Sequence, residues 1–357
     1  MTLILHSKPW ITDADLSAVK HLLISGMIGQ GKKTLEFEYV LSNWVGVEES
    51  GIAVGSGSAA IVLALLAFGI GVRDEVILPT YLCPSVLEAV LTTRAKPVLC
   101  DVSSNWVVTA KNMADCITRK TKALIVPHMY GIFADIKSFR QFDIPIIEDC
   151  AQAIAYKSTN KINGDIATFS FHPTKCLTTG EGGMTISANP ELVARMRSLR
   201  DGSKKADSSR LFSPMSDISA SLGLSQLSRY DEALNRRREL GLKYKCALSN
   251  VIPDSLQYTT LKESIFFRFP LVVPGGLDLY QDLFLKRKIC VRRGVDRLLH
   301  RLMKLPDDKF KTAVALYNTT VSLPIYPALS NTEHSYCMDS AVSIFSKHYA
   351  SSIIFQK

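Results

Sequence analysis

Between residues 51 and 187, short runs rich in β-branched and apolar residues alternate with segments of helical length, and this alternation limits the fold more than any other feature. The runs are GIAV (51–54), EVILP (75–79), KPVLCDV (96–102), KALIVP (122–127), IPIIED (144–149), ATFSF (167–171) and GMTIS (183–187). Strands of near-continuous apolar character are covered on both faces, and strand–helix alternation is the pattern of a layered α/β domain with a largely parallel sheet. The clearest helical segments between the runs are 58–69 and 84–93. The stretch AAIVLALLAFGIGV (59–72) is the longest apolar run, but it is too short for a bilayer span and is followed at once by Arg73 and Asp74. It reads as a buried helix.

Outside this region the signals are sparser. Thr12 precedes a helical pattern, with Asp15 three residues on and apolar Trp10-Ile11 before it, an arrangement that caps a helix start. Residues 216–247, rich in Leu, Arg and Glu, predict one long helical stretch bridging a large domain (1–240) to a smaller C-terminal one (241–357). At 357 residues and 47% hydrophobic composition, the chain can bury a core of that extent. The polar segment RDGSKKADSSR (200–210) reads as a loop.

Three motifs carry chemistry. In AVGSGSAAIVLALL a strand, a Gly/Ser turn and a helix beginning near Ser58 place free backbone N–H groups and the positive end of a helix dipole where a phosphate can sit. The same residues fit a GxGxxA dinucleotide turn, or simply a tight turn. Against a dinucleotide, Asp74 and Glu75 come before the strand VILP, whereas the acidic residue that reads the ribose should end it. In IPIIEDCAQA an apolar strand delivers Glu148-Asp149 to the carboxyl edge of the sheet, where such folds bind ligands. Asp149 there either caps the following turn or serves a site. In DIATFSFHPTKCLTTGEGG, Lys175 stands between a strand and a glycine-rich turn. Most lysines are solvated, but Phe171, Pro173, Cys176 and Leu177 flank this one closely enough to favour its neutral, nucleophilic form. Together the motifs supply what pyridoxal phosphate (PLP) requires: a phosphate cradle, a carboxylate for the ring nitrogen and an amine for the aldehyde.

With these residues the chain resembles the DegT/DnrJ/StrS family of PLP-dependent sugar aminotransferases. The likeness runs from SGMIGQGKKTLEFE through SGSAAI, DEVILPTY, AKPVLCDV, PHMYG, EDCAQA, the lysine motif and MSDISASLGLSQL to LPIYPALS. It implies the fold-type-I architecture, with a mostly parallel sheet in an αβα sandwich and a smaller α+β domain. It implies that Lys175 forms the internal aldimine and shuttles a proton, and that Asp149 pairs with the pyridinium nitrogen. Gly57, Ser58, the Ala59 backbone and Ser170 become phosphate contacts, and Gln152 lies near the ring hydroxyl. The chain departs from the family pattern in two places. Cys83 stands where an aromatic residue usually stacks on the ring, so either Tyr81 takes over that role or the ring is covered differently. Pro214 stands where Asn or Arg usually reaches the phosphate of a neighbouring subunit, although a homodimer is still implied. Some family members are dehydratases with histidine in place of the lysine, so Lys175 favours transamination over dehydration, while the departures at Cys83 and Pro214 motivate the alternative of a non-catalytic homologue that keeps the fold.

The implied reaction passes an amino group from glutamate to a keto-sugar, nucleotide-linked and made for surface polysaccharide or a secondary metabolite. The net charge of +9 is spread over short clusters such as Lys204-Lys205 and Arg292-Arg293, which suits a solvated surface or an anionic small substrate. It shows no nucleic-acid module. Eight cysteines lie without zinc-ligand spacing and read as reduced thiols, mostly in the core, so no metal is expected. MTLILHSKPWITDAD has neither the basic start nor the cleavage site of a signal peptide, and a cytoplasmic protein without membrane contact is expected. His172 and His300 read as structural.

Overall fold

The computed structural model describes residues 2–49, 51–155, 157, 162–202, 211, 213–256 and 264–354. In chain order its main elements are α1 (Asp13–Ser25), α2 (Lys32–Trp44), β1 (Ile52–Val54), α3 (Gly57–Ala67), β2 (Glu75–Pro79), α4 (Pro84–Thr92), β3 (Lys96–Cys100), α5 (Ala110–Ala114) and β4 (Thr121–Pro127). They continue with β5 (Ile146–Asp149), β6 (Ile166–Ser170), β7 (Gly183–Ile186), α6 (Pro190–Asp201), α7 (Asp217–Ser228), α8 (Tyr230–Leu248) and β8 (Phe269–Val272). The last are α9 (Gly276–Leu285), α10 (Leu299–Leu302), α11 (Lys311–Thr319), β9 (Thr320–Leu323) and α12 (Asn331–Ile354).

All seven expected runs are strands, and they form one sheet in the order β1-β7-β6-β5-β4-β2-β3. Pairings among β2 to β6 are parallel, whereas β7 runs antiparallel to both β1 and β6. β5 begins two residues later than the apolar run suggests. Pro145 has no N–H to give the ladder, and only its carbonyl takes part, accepting from Leu124 N at 2.9 Å. α3 is the buried helix: Ala60 to Leu65 are all buried, and it packs on α4, α6, β1, β6 and β7. Helices that cover both faces of the sheet explain why its strands carry little polar alternation.

The capping arrangement at Thr12 is present, with the Thr12 N–H donating to Asp15 Oδ2 at 2.9 Å. The expected single helix over 216–247 is instead two, because Arg229 leaves helical geometry at φ −120°, ψ 22°. Its guanidinium explains the break. Arg229 reaches back to the Asp15 carboxylate and to Trp10 O at 3.1 Å, contacts that local sequence cannot announce. Asp217, buried at the start of α7, accepts from the N–H groups of Gly31, Lys33 and Thr34 at 2.8–3.1 Å and thereby caps α2.

Two apolar clusters flank the sheet, and a third lies apart from it. That third cluster gathers Leu240, Tyr244 and Leu248 of α8 with β8, β9, α9 and α12, and Ile4 joins it from the N-terminal segment. Residues 295–316 instead send Val295, Leu298, Leu299, Phe310 and Leu316 into the cluster under β2 to β5. The cysteines are less uniformly internal than expected: Cys100, Cys150 and Cys337 are buried, whereas Cys83 and Cys246 are exposed. No helix among the described residues is long and apolar enough to cross a membrane.

Candidate active site

The carboxyl ends of β5 and β6 and the turn from β1 into α3 meet at one cleft. A cavity of about 420 Å³ is lined there by Gly57, Ser58, Asp149, Gln152, Thr168, Ser170 and Lys175, among others. Sites for small ligands typically span ~300–1,000 Å³. Six of the eight expected site residues, far apart in sequence, are therefore brought together.

Ser56, two residues ahead of the expected helix start, is the N-cap of α3, and its hydroxyl accepts from Ala59 N at 3.1 Å. The Ala59 N–H, expected to meet the phosphate, donates here to that cap. The next N–H group, that of Ala60, bonds to Ser56 O at 3.1 Å, which leaves those of Gly57 and Ser58 to face the cleft. A Cβ built on Gly57 lies 2.6 Å from Ser170 Cβ, so only glycine lets the helix end approach the Ser170 hydroxyl.

Asp149 is buried, and Oδ1 accepts from Ala151 N at 3.0 Å. Burial raises its pKa, with the Ala151 N–H and the charges of Lys175 and His128 working in the opposite direction. Lys175 shows the mirror effect: burial lowers its pKa, while Asp149 pulls it back up. Burial therefore makes this amine easier to deprotonate than an ordinary lysine, and among the described residues no carboxylate forms an ion pair with it. The lysine loop itself is pinned, since Lys175 N donates to His172 O at 2.8 Å and Thr179 N to Phe171 O at 3.0 Å.

Gln152 Oε1 accepts from Tyr130 N at 2.8 Å, which holds Tyr130 in a left-handed conformation, φ 57°, and turns the amide NH₂ toward the cleft. Tyr81 does not line the cleft. It is fully buried, its hydroxyl is 3.0 Å from that of Tyr130, and the wall is formed by the next residues, Leu82 and Cys83. The expectation that Tyr81 stacks on a ring is corrected accordingly, because the turn after β2 points it into the core. Pro214 lies beside β1 of its own chain, bridging to Val54, while Gly55 N donates to Ser213 O at 2.9 Å.

Sequence reasoning missed Thr168, Phe267 and Arg268. Thr168 lies on the cleft floor with a buried hydroxyl that has no hydrogen-bond partner among the described residues. Two-residue strand periodicity places it on the face of Ser170 and could have found it. Phe267 and Arg268 arrive from beyond α8 and carry no local signal. His172 is exposed and hydrogen-bonds Thr174, whereas His300 is buried between Thr80 Oγ1, at 2.7 Å, and Asp307 Oδ1, at 2.9 Å. Behind Asp149, buried Glu148 has its oxygens occupied by His128 Nε2 and by the N–H groups of Asn163 and Gly164, at 2.7–2.9 Å.

The family model for DegT/DnrJ/EryC1/StrS aminotransferases matches residues 9–341. The chain belongs to this family. A dTDP-4-dehydro-2,3,6-trideoxy-D-glucose 4-aminotransferase of Saccharopolyspora spinosa is 30% identical to it, over 91% of this chain and 92% of that protein. Spr1654 from Streptococcus pneumoniae, a candidate sugar aminotransferase solved in its PLP form, superposes with a TM-score of 0.87 at 26% identity, over 97% of this chain and 99% of that one. It has also been solved in its PMP form. S. venezuelae DesV, in complex with a ketimine intermediate, gives a TM-score of 0.85 at 26% identity, over 93% and 94% of the two chains. This chain is a PLP-dependent aminotransferase of fold type I, in a family of sugar aminotransferases.

The cleft fits that cofactor on three observations. A cradle between α3 and Ser170 is one that a Cβ on residue 57 would fill. Thr168 has an orphaned hydroxyl, and Asp149 is a buried carboxylate whose surroundings offer less positive charge than it needs. A cationic ring nitrogen supplies such a charge.

Proposed function

We propose that this protein transfers an amino group from glutamate to the keto group of a nucleotide-linked sugar, using Lys175 and Asp149 as its catalytic pair. The observation that carries the reading is the convergence of the Lys175 amine, the buried Asp149 carboxylate and the N-terminus of α3 on one cleft. Bound there, PLP supplies the electron sink that lets an α-carbon give up its proton. Lys175 Nζ holds the cofactor and then carries that proton between carbon centres, a task suited to an amine whose burial favours its neutral form. Asp149 keeps the proton on the ring nitrogen. The Gly57 and Ser58 N–H groups with the Ser170 hydroxyl hold the phosphate, and the Gln152 amide faces the ring hydroxyl. The nucleotide-linked acceptor is supported by the relative that acts on a dTDP-linked keto-sugar. We assign the product to surface polysaccharide or secondary metabolite synthesis in the cytoplasm. Residues 203–210, most of the polar segment expected to be a loop, lie outside the described residues.

The test is spectroscopic. Added PLP should give the visible absorbance band of a lysine-bound cofactor, glutamate should convert it to the pyridoxamine form, and a keto-sugar should restore it. Failure of glutamate to act would remove the proposed donor. Asp149→Asn should keep the band yet slow the glutamate half-reaction by on the order of a hundredfold or more, because an amide cannot hold the ring proton. Stopped-flow absorbance reads that rate directly.

Two features of organisation belong to the same proposal. A boundary near 240/241 between a cofactor domain and a smaller one is supported by the apolar cluster that, apart from Ile4, is built from Leu240 onward. A homodimer is supported by the apolar side chains exposed along α1 and just after it, Leu16 at 63%, Leu23 at 53%, Ile24 at 74% and Met27 at 73%. Light scattering should give twice the chain mass, and Ile24→Asp with Met27→Asp should shift it to one chain. An unchanged mass in that variant would place the interface elsewhere.

A further inference from the structure

The side of the cleft facing Phe267 carries positive charge that the roles above do not use. Lys175 Nζ lies 5.7 Å from the Phe267 ring centroid, and the Arg268 guanidinium carbon lies 4.6 Å from the same centroid. Amine and guanidinium therefore share one aromatic neighbour. Arg268 Nη1 lies 3.1 Å from Nδ1 of buried His6, whose Nε2 lies 3.1 Å from Ser322 Oγ. Guanidinium only donates, so Nδ1 accepts and His6 is a neutral ring that orients Arg268 without cancelling its charge. Burial and the charges of Arg268 and Arg292 hold the His6 pKa well below its ordinary value, as that tautomer requires. Arg292 is fixed by the same anchor, its backbone bonded both ways to Ser322 at 2.8 and 3.3 Å.

Both arginines line a cavity of about 490 Å³ that shares Cys83, Gln152, Thr174, Lys175 and the carboxylate-bearing Asp296 with the cofactor cleft. Among the described residues neither makes an ion pair, whereas neighbouring Arg293 is matched by Asp278. Arg237, behind Arg268, is occupied by the carbonyls of Phe266, Phe267 and Ile325. Burial, and then the like charge of Arg237, push the Arg268 pKa down to about 10. A guanidinium held partly out of water without a carboxylate is costly unless an anion arrives. Its planar fork suits the two oxygens of a carboxylate or phosphate.

We propose that Arg268 and Arg292 form an anion subsite that selects substrates carrying a carboxylate or phosphate away from the carbon that reacts at Lys175. This rests on the transamination reading above. The anion belongs either to the amino donor or to an acidic or phosphorylated keto-sugar.

The test is calorimetric titration of the PLP-loaded protein, at low salt, with glutarate and with inorganic phosphate, in the parent, Arg268→Gln and Arg292→Gln. The cofactor already fills the phosphate cradle, so binding of either probe reports the second subsite. We expect at least one probe to bind the parent, about tenfold or more weaker binding in Arg268→Gln, and a smaller loss in exposed Arg292→Gln, with the cofactor band retained in all three. Kinetics then separate the sources: a raised KM for glutamate alone points to the donor, and a raised KM for the keto-sugar alone to the acceptor. No binding by the parent, or parental affinity in both variants, overturns the subsite. If the parent forms no cofactor band the transamination reading fails instead, and the glutarate titration still decides the subsite on the unloaded protein.

Discussion

Lys175→Ala should abolish the visible band of bound PLP and cut transamination by at least about 10²–10⁴-fold, the usual range for losing one positioned proton carrier. The loss should be chemical rather than structural. The loop around residue 175 is held by backbone bonds from Lys175 N to His172 O and from Thr179 N to Phe171 O, and by the Thr178 hydroxyl on Phe171 O at 2.9 Å, none of which needs the lysine side chain. Removing the amine also withdraws the positive charge that works against the raised pKa of Asp149, so an empty Lys175→Ala cleft should hold a more readily protonated Asp149. The phosphate cradle stays intact, and PLP should still bind, weakly and without the band. Lys175→Arg separates the two roles because it restores the charge but not a neutral amine. It should recover cofactor affinity and not activity. Absorbance titration with PLP followed by glutamate reads both quantities, and parental turnover in either variant would show that the amine carrying the reaction lies elsewhere.

The sheet was legible because its strands are covered on both faces. A run such as KALIVP has no competing helical period, and its ends are marked by charge and proline. The lysine, aspartate and glycine-turn motifs were legible for a related reason: each sits at the end of a strand, where the sheet fixes its direction. Residues whose placement depends on distant partners escaped. Tyr81 and Cys83 are two apart, and nothing local says that the turn after β2 sends the first into the core toward Tyr130 and the second to the cleft. The break at Arg229 is set by Asp15, more than 200 positions away, while the sequence on both sides of it remains helical. Arg268 reads as one basic residue among many until His6 and Phe267 give it a direction.

Glu38→Ala should cost about 3–5 kcal/mol of stability, the scale set by breaking one side of a buried ion pair. Glu38 is fully buried in α2, where its carboxylate meets the equally buried Arg200 guanidinium, accepts from Arg197 Nη1 at 3.2 Å and accepts from Ala53 N at 2.9 Å. Truncation removes the buried Glu38 charge from Arg200 and strands the Ala53 N–H in the core. Asp201 still bonds Arg200, but from a carboxylate that is 40% exposed and worth less to a buried charge. Urea denaturation of the cofactor-free protein measures the loss. A cost below about 1 kcal/mol would mean that the other partners of Arg200, Asp201 and Ala53 O among them, compensate its charge. A Glu38→Met, Arg200→Met double variant should regain much of the stability, since an apolar pair of similar volume leaves no charge to satisfy. The same substitution has a functional consequence. Ala53 lies in β1, three residues before the Ser56 cap of α3, so loosening β1 should also weaken PLP binding without touching Lys175 or Asp149.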